Sequence, residues 1–135
     1  MDPFIQDAPR RTNRFRTDLA LRHTIERLLP SDVFAAAEPL LDEMGERTVD
    51  ELPLLERAAE LNPPRHVPYD PWGTRIDQIE VDPAWTRLIE IGIESGLVAI
   101  PYEMSFGQSS RVLQFGLQHI FMPVSAVADC PLSMT

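Results

Sequence analysis

Apolar residues follow helical spacing from residue 17 to residue 29, in the segment TDLALRHTIERLL. The polar residues Thr17 and Asp18 at its start are both suited to cap a helix, and Pro30 ends it. The apolar residues that share one face of this helix are Leu21, Ile25, Leu28 and Leu29. The pattern predicts an amphipathic helix of about three turns.

A second helical pattern, DVFAAAEPLLDEMG, begins at Asp32, and Ser31 or Asp32 can cap it. Pro39 predicts a kink or a division in this helix, and Gly45 predicts its end. Its inward residues are predicted to be Val33, Phe34, Ala37, Leu40, Leu41 and Met44. A third helix covers roughly residues 49–61 and ends where the sequence NPP removes two backbone donors. Three consecutive helices joined by tight turns predict antiparallel packing.

The stretch from residue 62 to residue 82 interrupts the helical pattern. Its prolines favour extended backbone, and the sequence DPWG has the chemistry of a tight turn. The segment RIDQIEV that follows carries β-branched residues, which favour a strand. The sequence therefore predicts an extended excursion or a small hairpin that wraps the helices.

Two more helices are predicted after this insert. Asp82 can cap PAWTRLIEIGIES, which directs Trp85 into the core and ends at Gly96. A last helix is predicted from a start between residues 105 and 110 to about Ala128, bent midway by Pro123. Apolar residues surround most of its circumference, so we expect part of its surface to be covered by protein outside this chain.

These elements predict an all-α fold, an antiparallel helical bundle with a proline-rich extended or hairpin insert over residues 62–82. The helical domain is predicted to span residues 17–135. Residues 1–16 hold four arginines, two acids and two prolines without a clear apolar face. They are predicted to form a flexible N-terminal arm.

Composition narrows the classes of partner. The net charge is −9, all 12 basic residues are arginine, and four of these lie before residue 17. An acidic body repels a phosphate backbone, so nucleic acid is not expected to bind through this segment. No apolar run approaches the roughly 20 residues that cross a bilayer. With Cys130 as the single cysteine there is no internal disulfide, and we expect a cytoplasmic protein.

Candidate chemistry is sparse. None of His23, His66 and His119 has a cysteine or a second histidine at metal-ligand spacing, so no metal site is predicted. Cys130 has no visible base beside it and is interpreted as a packing residue. One group of acids is interpreted as a solvated surface that does not converge on a site: Asp42, Glu43, Glu46, Asp50, Glu51, Glu56 and Glu60. No catalytic residue is assigned.

The glycines do not form a phosphate-binding loop, since they are scattered at helix ends and in helix interiors. Gly92 and Gly116 are predicted to permit close approach of helices. A nucleotide cofactor is therefore not expected to be held by this segment alone, and its binding residues stay unassigned.

Two motifs carry a family resemblance. The run NPPRHVPYDPWGTRIDQIEVDPAWTRLI, followed after about 40 residues by CPLSMT, resembles the N-terminal region of acyl-CoA dehydrogenase-like flavoproteins, most closely their AidB-like branch. The resemblance is strongest over residues 62–135 and rests on helical layout before that. Just before CPLSMT this chain has VSAVAD in place of the acidic, glycine-containing segment common in the branch.

The resemblance implies a helical N-terminal domain that is followed by a β-domain and a second helical domain. It implies FAD and the catalytic carboxylate in the later parts, an acyl-CoA-type substrate, α,β-dehydrogenation of acyl thioesters, and a homo-oligomer, usually a tetramer. It also implies which residues of this chain border the acyl and flavin cavity: Leu132, Ser133, Met134 and Thr135. This segment alone is then not an enzyme.

Two other functions stay open at this point. The chain can belong to a non-catalytic, AidB-like stress-response module in a flavoprotein that binds DNA through another domain. A steep salt dependence of DNA binding by a colourless protein favours that alternative. The chain can also be a self-standing bundle, although we expect the 135 residues alone to be marginally stable or to self-associate.

Overall fold

The computed structural model describes residues 5–134, which form eight α-helices and one two-stranded hairpin. The helices are α1 (Arg14–Thr17), α2 (Leu19–Leu28), α3 (Ser31–Arg47), α4 (Glu51–Leu61), α5 (Pro83–Glu94), α6 (Ala99–Glu103), α7 (Ser110–Phe121) and α8 (Ala126–Ser133). The strands are β1 (Arg65–Tyr69) and β2 (Arg75–Glu80). A mostly helical chain with a hairpin insert is therefore confirmed.

The helices enclose one apolar core. Helix α3 packs against α7, α4 packs against α5, and α5 packs against α8. The largest fully buried apolar side chains come from α1, α3, α4, α5, α7 and the turn after α5: Phe15, Leu41, Met44, Leu52, Leu88, Ile91, Leu97, Leu113, Leu117, Ile120 and Phe121. The main partners of α3 and α4 are thus later helices rather than each other. The antiparallel packing expected for the first three helices stays a prediction.

The N-terminal segment is packed from residue 13 onward. Phe15 is fully buried, and the Asn13 side chain accepts a hydrogen bond from the backbone N–H of Arg16 at 3.2 Å, which caps α1. The Arg16 guanidinium binds both carboxylate oxygens of Asp42 on α3, at 2.7 and 2.6 Å. The predicted flexible arm over residues 1–16 is therefore wrong for residues 13–16, because Phe15 is buried and the Arg16–Asp42 ion pair attaches them to α3. Residues 1–4 lie outside the described part of the chain.

Helix α3 passes through both of its predicted interruptions. Pro39 lies inside it without dividing it, and both Pro39 and Ala35 are exposed, so water can reach the carbonyl that the proline leaves unbonded. Gly45 does not end the helix, which continues to Arg47. A Cβ at Gly45 would lie 2.0 Å from Oδ1 of Asn13. The missing side chain of Gly45 therefore permits the N-terminal segment to approach α3 closely.

The insert is a hairpin, but it does not wrap the helices. Strands β1 and β2 pair antiparallel, with Arg65 opposite Glu80 and Tyr69 opposite Arg75. Every residue of the two strands is exposed except Val67, which is half-buried. The hairpin therefore extends from the helical body, because its strands hold too little apolar surface facing that body.

The C-terminal third differs from the single bent helix that its sequence predicts. Helix α7 ends at Phe121, a 3₁₀ turn follows over Met122–Val124, and a separate helix α8 begins at Ala126. Pro123 lacks a backbone donor, and Ser125 is extended at φ −164°. The Ser125 hydroxyl donates to the Phe121 carbonyl at 2.6 Å and closes the break. Most of α7 is buried by its own chain, with the Phe115 side left open.

Candidate functional site

The predicted cavity residues lie at the end of α8. Leu132 is 5% exposed and is packed in the core, whereas Ser133 and Met134 are exposed, Met134 at 77%. The Ser133 hydroxyl donates to the carbonyl of Cys130 at 3.1 Å, one turn back along the helix. Thr135 lies outside the described residues. The structure thus separates this group into one anchor, Leu132, and two side chains that face outward.

Leu132 is anchored by a glycine on a neighbouring helix. A Cβ placed at Gly92 of α5 would lie 2.3 Å from a methyl group of Leu132. Gly92 thus permits close approach of α5 and α8, as predicted from the sequence. Gly116 is crowded in the same way by Ile25 of α2, at 2.8 Å from its missing Cβ. Leu132 therefore fixes the position of α8, and its role as a cavity residue stays a prediction.

A half-buried carboxylate stands at the other end of α8. Glu56 of α4 faces the backbone N–H groups of Val127 and Ala126, and its Oε2 has no hydrogen-bond partner among residues 5–134. Burial raises the pKa of Glu56, the N–H of Val127 opposes this rise, and the negative charge of Glu60 adds to it. A cleft of about 390 Å³ opens beside it, with Arg11 and Arg57 among its walls. Glu56 thus serves as an acidic partner for the N-terminus of α8.

Asp129 is the second unusual carboxylate of this helix. Its side chain is buried, and within residues 5–134 its Oδ1 finds no hydrogen-bond partner. Burial raises the pKa of the Asp129 carboxyl, because the charged form loses contact with water. A carboxylate in this state is poised to accept a hydrogen bond from a donor outside the described residues.

Sequence reasoning missed both carboxylates. Glu56 is four residues after Leu52 and three before Ala59, both fully buried, so helical spacing places it on the core side of α4. Asp129 lies three residues before Leu132, which gives the same signal on α8. The interpretation of Glu56 as a solvated acid is wrong for this reason, since its neighbours on the helix face are buried.

Several of the other acids pair with arginines and do not form a site. Arg47 lies between Glu43 and Glu51 at 3.1 Å from each, and Arg87 contacts Glu51 and Glu94. These pairs are partly exposed, so each contributes little to stability. Their interpretation as a surface layer that does not converge on one site agrees with this geometry.

Two histidines contact acids. Nε2 of His66 lies 3.1 Å from Asp77 within the hairpin, and Nε2 of His119 lies 3.3 Å from Asp18 at the start of α2. In the part of the chain that the structure covers, no three His, Cys, Asp or Glu side chains come together as a metal site would require. Cys130 is exposed and reduced.

An apolar cleft remains between α2 and α7, on the side of α7 that its own chain leaves open. It has a volume of about 250 Å³ and is lined by Leu21, Thr24, Ile25, Leu28, Val112, Phe115, Gly116 and His119. Phe115 and Leu28 are exposed on its rim. The expectation that part of this helix stays uncovered agrees with this cleft, which lies on the α2 side of α7. As for membranes, every helix within residues 5–134 is too short or too polar to cross one.

Comparison with known proteins identifies the class of this helical domain. The family model described as "Adaptive response protein AidB N-terminal domain" matches residues 6–135, which is nearly the whole chain. The chain therefore belongs to the AidB N-terminal domain family, and the resemblance carried by its two motifs is confirmed.

Relatives of greater length contain this domain. Acyl-CoA dehydrogenase family member 11 of Caenorhabditis elegans is 34% identical over 133 residues, which are 98% of this chain and 22% of that protein. The solved structure titled "Bd2924 apo-form" is 44% identical, with a TM-score of 0.90 over 97% of this chain and 26% of that chain. The crystal structure of C. elegans ACDH-11 in complex with C11-CoA is 31% identical, with a TM-score of 0.86 over 99% and 23%. The chain thus spans about a quarter of the length of these proteins.

Proposed function

We propose that this chain is the N-terminal domain of an FAD-dependent, acyl-CoA dehydrogenase-like oxidoreductase, and that the end of α8 forms one wall of its acyl and flavin cavity. The observation that carries the proposal is the division at the end of α8. Leu132 is held in the core by Gly92, and this presents Ser133 and Met134 outward on a fixed helix. Family membership over residues 6–135 supplies the class of protein.

The side chains at this end suit an apolar ligand better than a charged one. Met134 offers a flexible, polarisable surface that adapts to an alkyl chain. Ser133 already donates its proton to Cys130, so a ligand would meet its oxygen lone pairs. The solved relative ACDH-11 was crystallised with C11-CoA, which supports an acyl thioester of similar chemistry as the ligand.

The described residues fit a wall for FAD and not its main binding site. They contain no glycine-rich loop that could hold its pyrophosphate. FAD is therefore assigned to domains downstream of this chain, where it would supply the hydride acceptor. The proposal includes those domains, a cytoplasmic location and assembly into a homo-oligomer.

Flavin content and acyl-CoA affinity test the proposal separately, in the protein that contains this chain with its downstream sequence. We expect that protein to purify yellow and to bind C11-CoA. The Met134→Glu substitution is expected to weaken C11-CoA binding by roughly tenfold or more, because it places a charge in an apolar wall. Met122→Glu, at an exposed methionine outside α8, is the matched control and should leave the affinity unchanged.

The two readouts fail in different ways. A purified protein without flavin contradicts the oxidoreductase assignment. A flavoprotein whose C11-CoA affinity is the same with and without Met134→Glu contradicts only the role of α8 as a cavity wall. The described residues offer no specific support for the alternative, a non-catalytic module associated with DNA.

A further inference from the structure

The hairpin presents more apolar surface than an isolated two-stranded sheet can use. Trp72 at its turn is 87% exposed and Ile79 is 72% exposed, and Tyr69, Ile76 and Val81 are exposed as well. Within the described residues the sheet contains β1 and β2 alone, so each strand has one unpaired edge. Such a hairpin is marginal in water by itself, and an uncovered apolar strand edge invites another strand.

The sequence of β2 is complementary to itself when it is read in the opposite direction. The bulge places Ile76 and Asp77 together opposite Pro68, so that Arg75 and Glu80 lie on the same face of β2. Antiparallel alignment of RIDQIE centred on Gln78 then places Arg75 opposite Glu80, and Ile76 opposite Ile79, of a second copy. Opposite charges and paired aliphatic side chains across adjacent strands are both favourable. A two-fold axis repeats each contact, which is the arrangement that closed dimers use.

Strand β1 lacks this property. Its sequence RHVPY would place Arg65 opposite Tyr69 and His66 opposite Pro68 in the same alignment, without a pair of opposite charges. Pro68 also removes a backbone donor from that strand, which blunts its edge. The hairpin therefore has one edge suited to a second copy and one edge that is protected.

The charges at the two ends of β2 already form ion pairs within the hairpin, and these pairs are exposed. The pairing with β1 is irregular opposite Pro68, and Asp77 has a left-handed φ of 46° there. Arg75 contacts Asp77 at 2.6 Å and Arg65 contacts Glu80, and both arginines are mostly exposed. A second copy brought beside β2 extends these two pairs into one network of alternating charge. Because the irregularity bends β2, side-chain pairing rather than a continuous backbone ladder would hold the two copies together.

We propose that β2 is a homotypic contact element, through which two copies of this chain associate with their β2 strands antiparallel about a two-fold axis. The contact does not depend on flavin or on acyl-CoA, and it would be one contact of the homo-oligomer that the proposed function includes. It names the surface of β2, including Ile79 and the Arg75 and Glu80 charges, as the part of the domain that a second copy covers.

Charge-reversal substitutions in β2 test this arrangement. The dimer dissociation constant of the 135-residue chain is measured by sedimentation as a function of concentration. We expect the unmodified chain to dimerise reversibly. Arg75→Glu and Glu80→Arg are each expected to raise the dimer dissociation constant about tenfold or more, since each sets like charges opposite one another twice. An equimolar mixture of the two variants should regain the affinity as a heterodimer, and the variant with both substitutions should regain it as a homodimer.

Ile79→Glu supplies a second test that does not use the existing charges, and Leu54→Glu is its matched control at an exposed leucine on α4. We expect the first to abolish association and the second to leave it unchanged, with the same melting temperature in the monomer range. A chain that stays monomeric at all concentrations overturns the proposal. So do charge variants that dimerise like the unmodified chain, or single variants whose mixture fails to recover, because recovery depends on the antiparallel register.

Discussion

The N-terminal segment and the hairpin are the two parts of the chain whose packing differs most from what their sequences predict. The N-terminal segment is rich in arginine and proline, yet Phe15 is buried and Asn13 lies against Gly45 of α3. The hairpin carries Trp72 and several aliphatic residues, yet its strands are exposed. Hydrophobicity summed over a segment therefore does not decide whether it packs. A segment packs when its apolar side chain meets a complementary site elsewhere in the fold, as Phe15 does in the N-terminal segment.

The largest expected difference between these two regions is in stability. Phe15→Ala should lower the free energy of unfolding by roughly 3–4 kcal/mol, because it leaves a cavity in a fully buried site. Trp72→Ala should change it by less than about 0.5 kcal/mol, because the side chain is already in water. Urea unfolding of dilute monomer measures both. Equal losses from the two substitutions would contradict the contrast between a packed segment and a projecting hairpin.

The contact of Asn13 with Gly45 predicts that the effect of Gly45→Ala on stability changes sign when the Asn13 side chain is removed. Gly45→Ala should cost about 1–2 kcal/mol, since its Cβ displaces the Asn13 side chain by more than alanine gains in helix propensity. In a chain that already carries Asn13→Ala, the same Gly45→Ala substitution should be neutral or stabilising by up to about 1 kcal/mol.

A double-mutant cycle of thermal or urea unfolding checks this sign change. The control is Gly73→Ala at the hairpin turn, where no atom lies within 4 Å of the missing Cβ but φ is +87°. That substitution should cost stability through backbone strain alone, with no dependence on Asn13. Additive effects of Asn13→Ala and Gly45→Ala would show that the N-terminal segment does not lie on α3.

The polar attachment of the N-terminal segment should depend on pH. The hydrogen bond from Arg16 lowers the pKa of Asp42, so the folded state binds fewer protons than the unfolded state in mild acid. Its stabilising contribution is present above the unfolded pKa and is lost as the pH falls through the lower folded pKa. Asp42→Asn should therefore reduce the melting temperature near neutral pH by less than Gly45→Ala does. The difference from the unmodified chain should disappear in acid.

Asp129 provides the control with the opposite sign. Burial raises the pKa of Asp129, so the folded state favours the protonated form, and stability is lost as the pH rises through the folded pKa. Asp129→Asn should thus raise the melting temperature at neutral pH, by roughly 3 °C, and the gain should shrink as the pH falls. Calorimetry of the two variants across pH checks both slopes. If the stability differences of Asp42→Asn and Asp129→Asn changed with pH in the same direction, the environment described for one of the two carboxyl groups would be contradicted.

Where the sequence predicted well, short-range chemistry was sufficient. Asp82 accepts a hydrogen bond from the N–H of Ala84 at 2.8 Å, and Gly96 ends the following turn at φ +77°, as their positions predict. The proline-rich insert is a hairpin for the same local reason. The break at Pro123 was underestimated, because a separate helix after it depends on the Ser125 hydroxyl and on contacts of α8 with α5.

The candidate site also has one part that the sequence predicts and one part that depends on tertiary packing. The motif CPLSMT identifies the end of α8 and the family, since motifs are properties of the chain itself. That Leu132 is an anchor while Met134 is exposed follows only from the position of Gly92 on another helix. Helical spacing indicates that Glu56 and Asp129 lie on the core side of their helices, but their raised pKa values come from burial that depends on elements distant in sequence.

The amino-acid sequence by itself determined the helical periodicity, the caps at Asp18 and Asp82, the hairpin and the family, because each depends on residues within a few positions of one another. The cap predicted at Ser31 or Asp32 is wrong, since α3 begins after Pro30 without a side-chain cap. The tertiary structure alone decided that Phe15 joins the core, that β2 faces outward and that Glu56 meets the start of α8. Those outcomes depend on which surfaces remain once the helices have packed, and that is a property of the whole chain rather than of any segment.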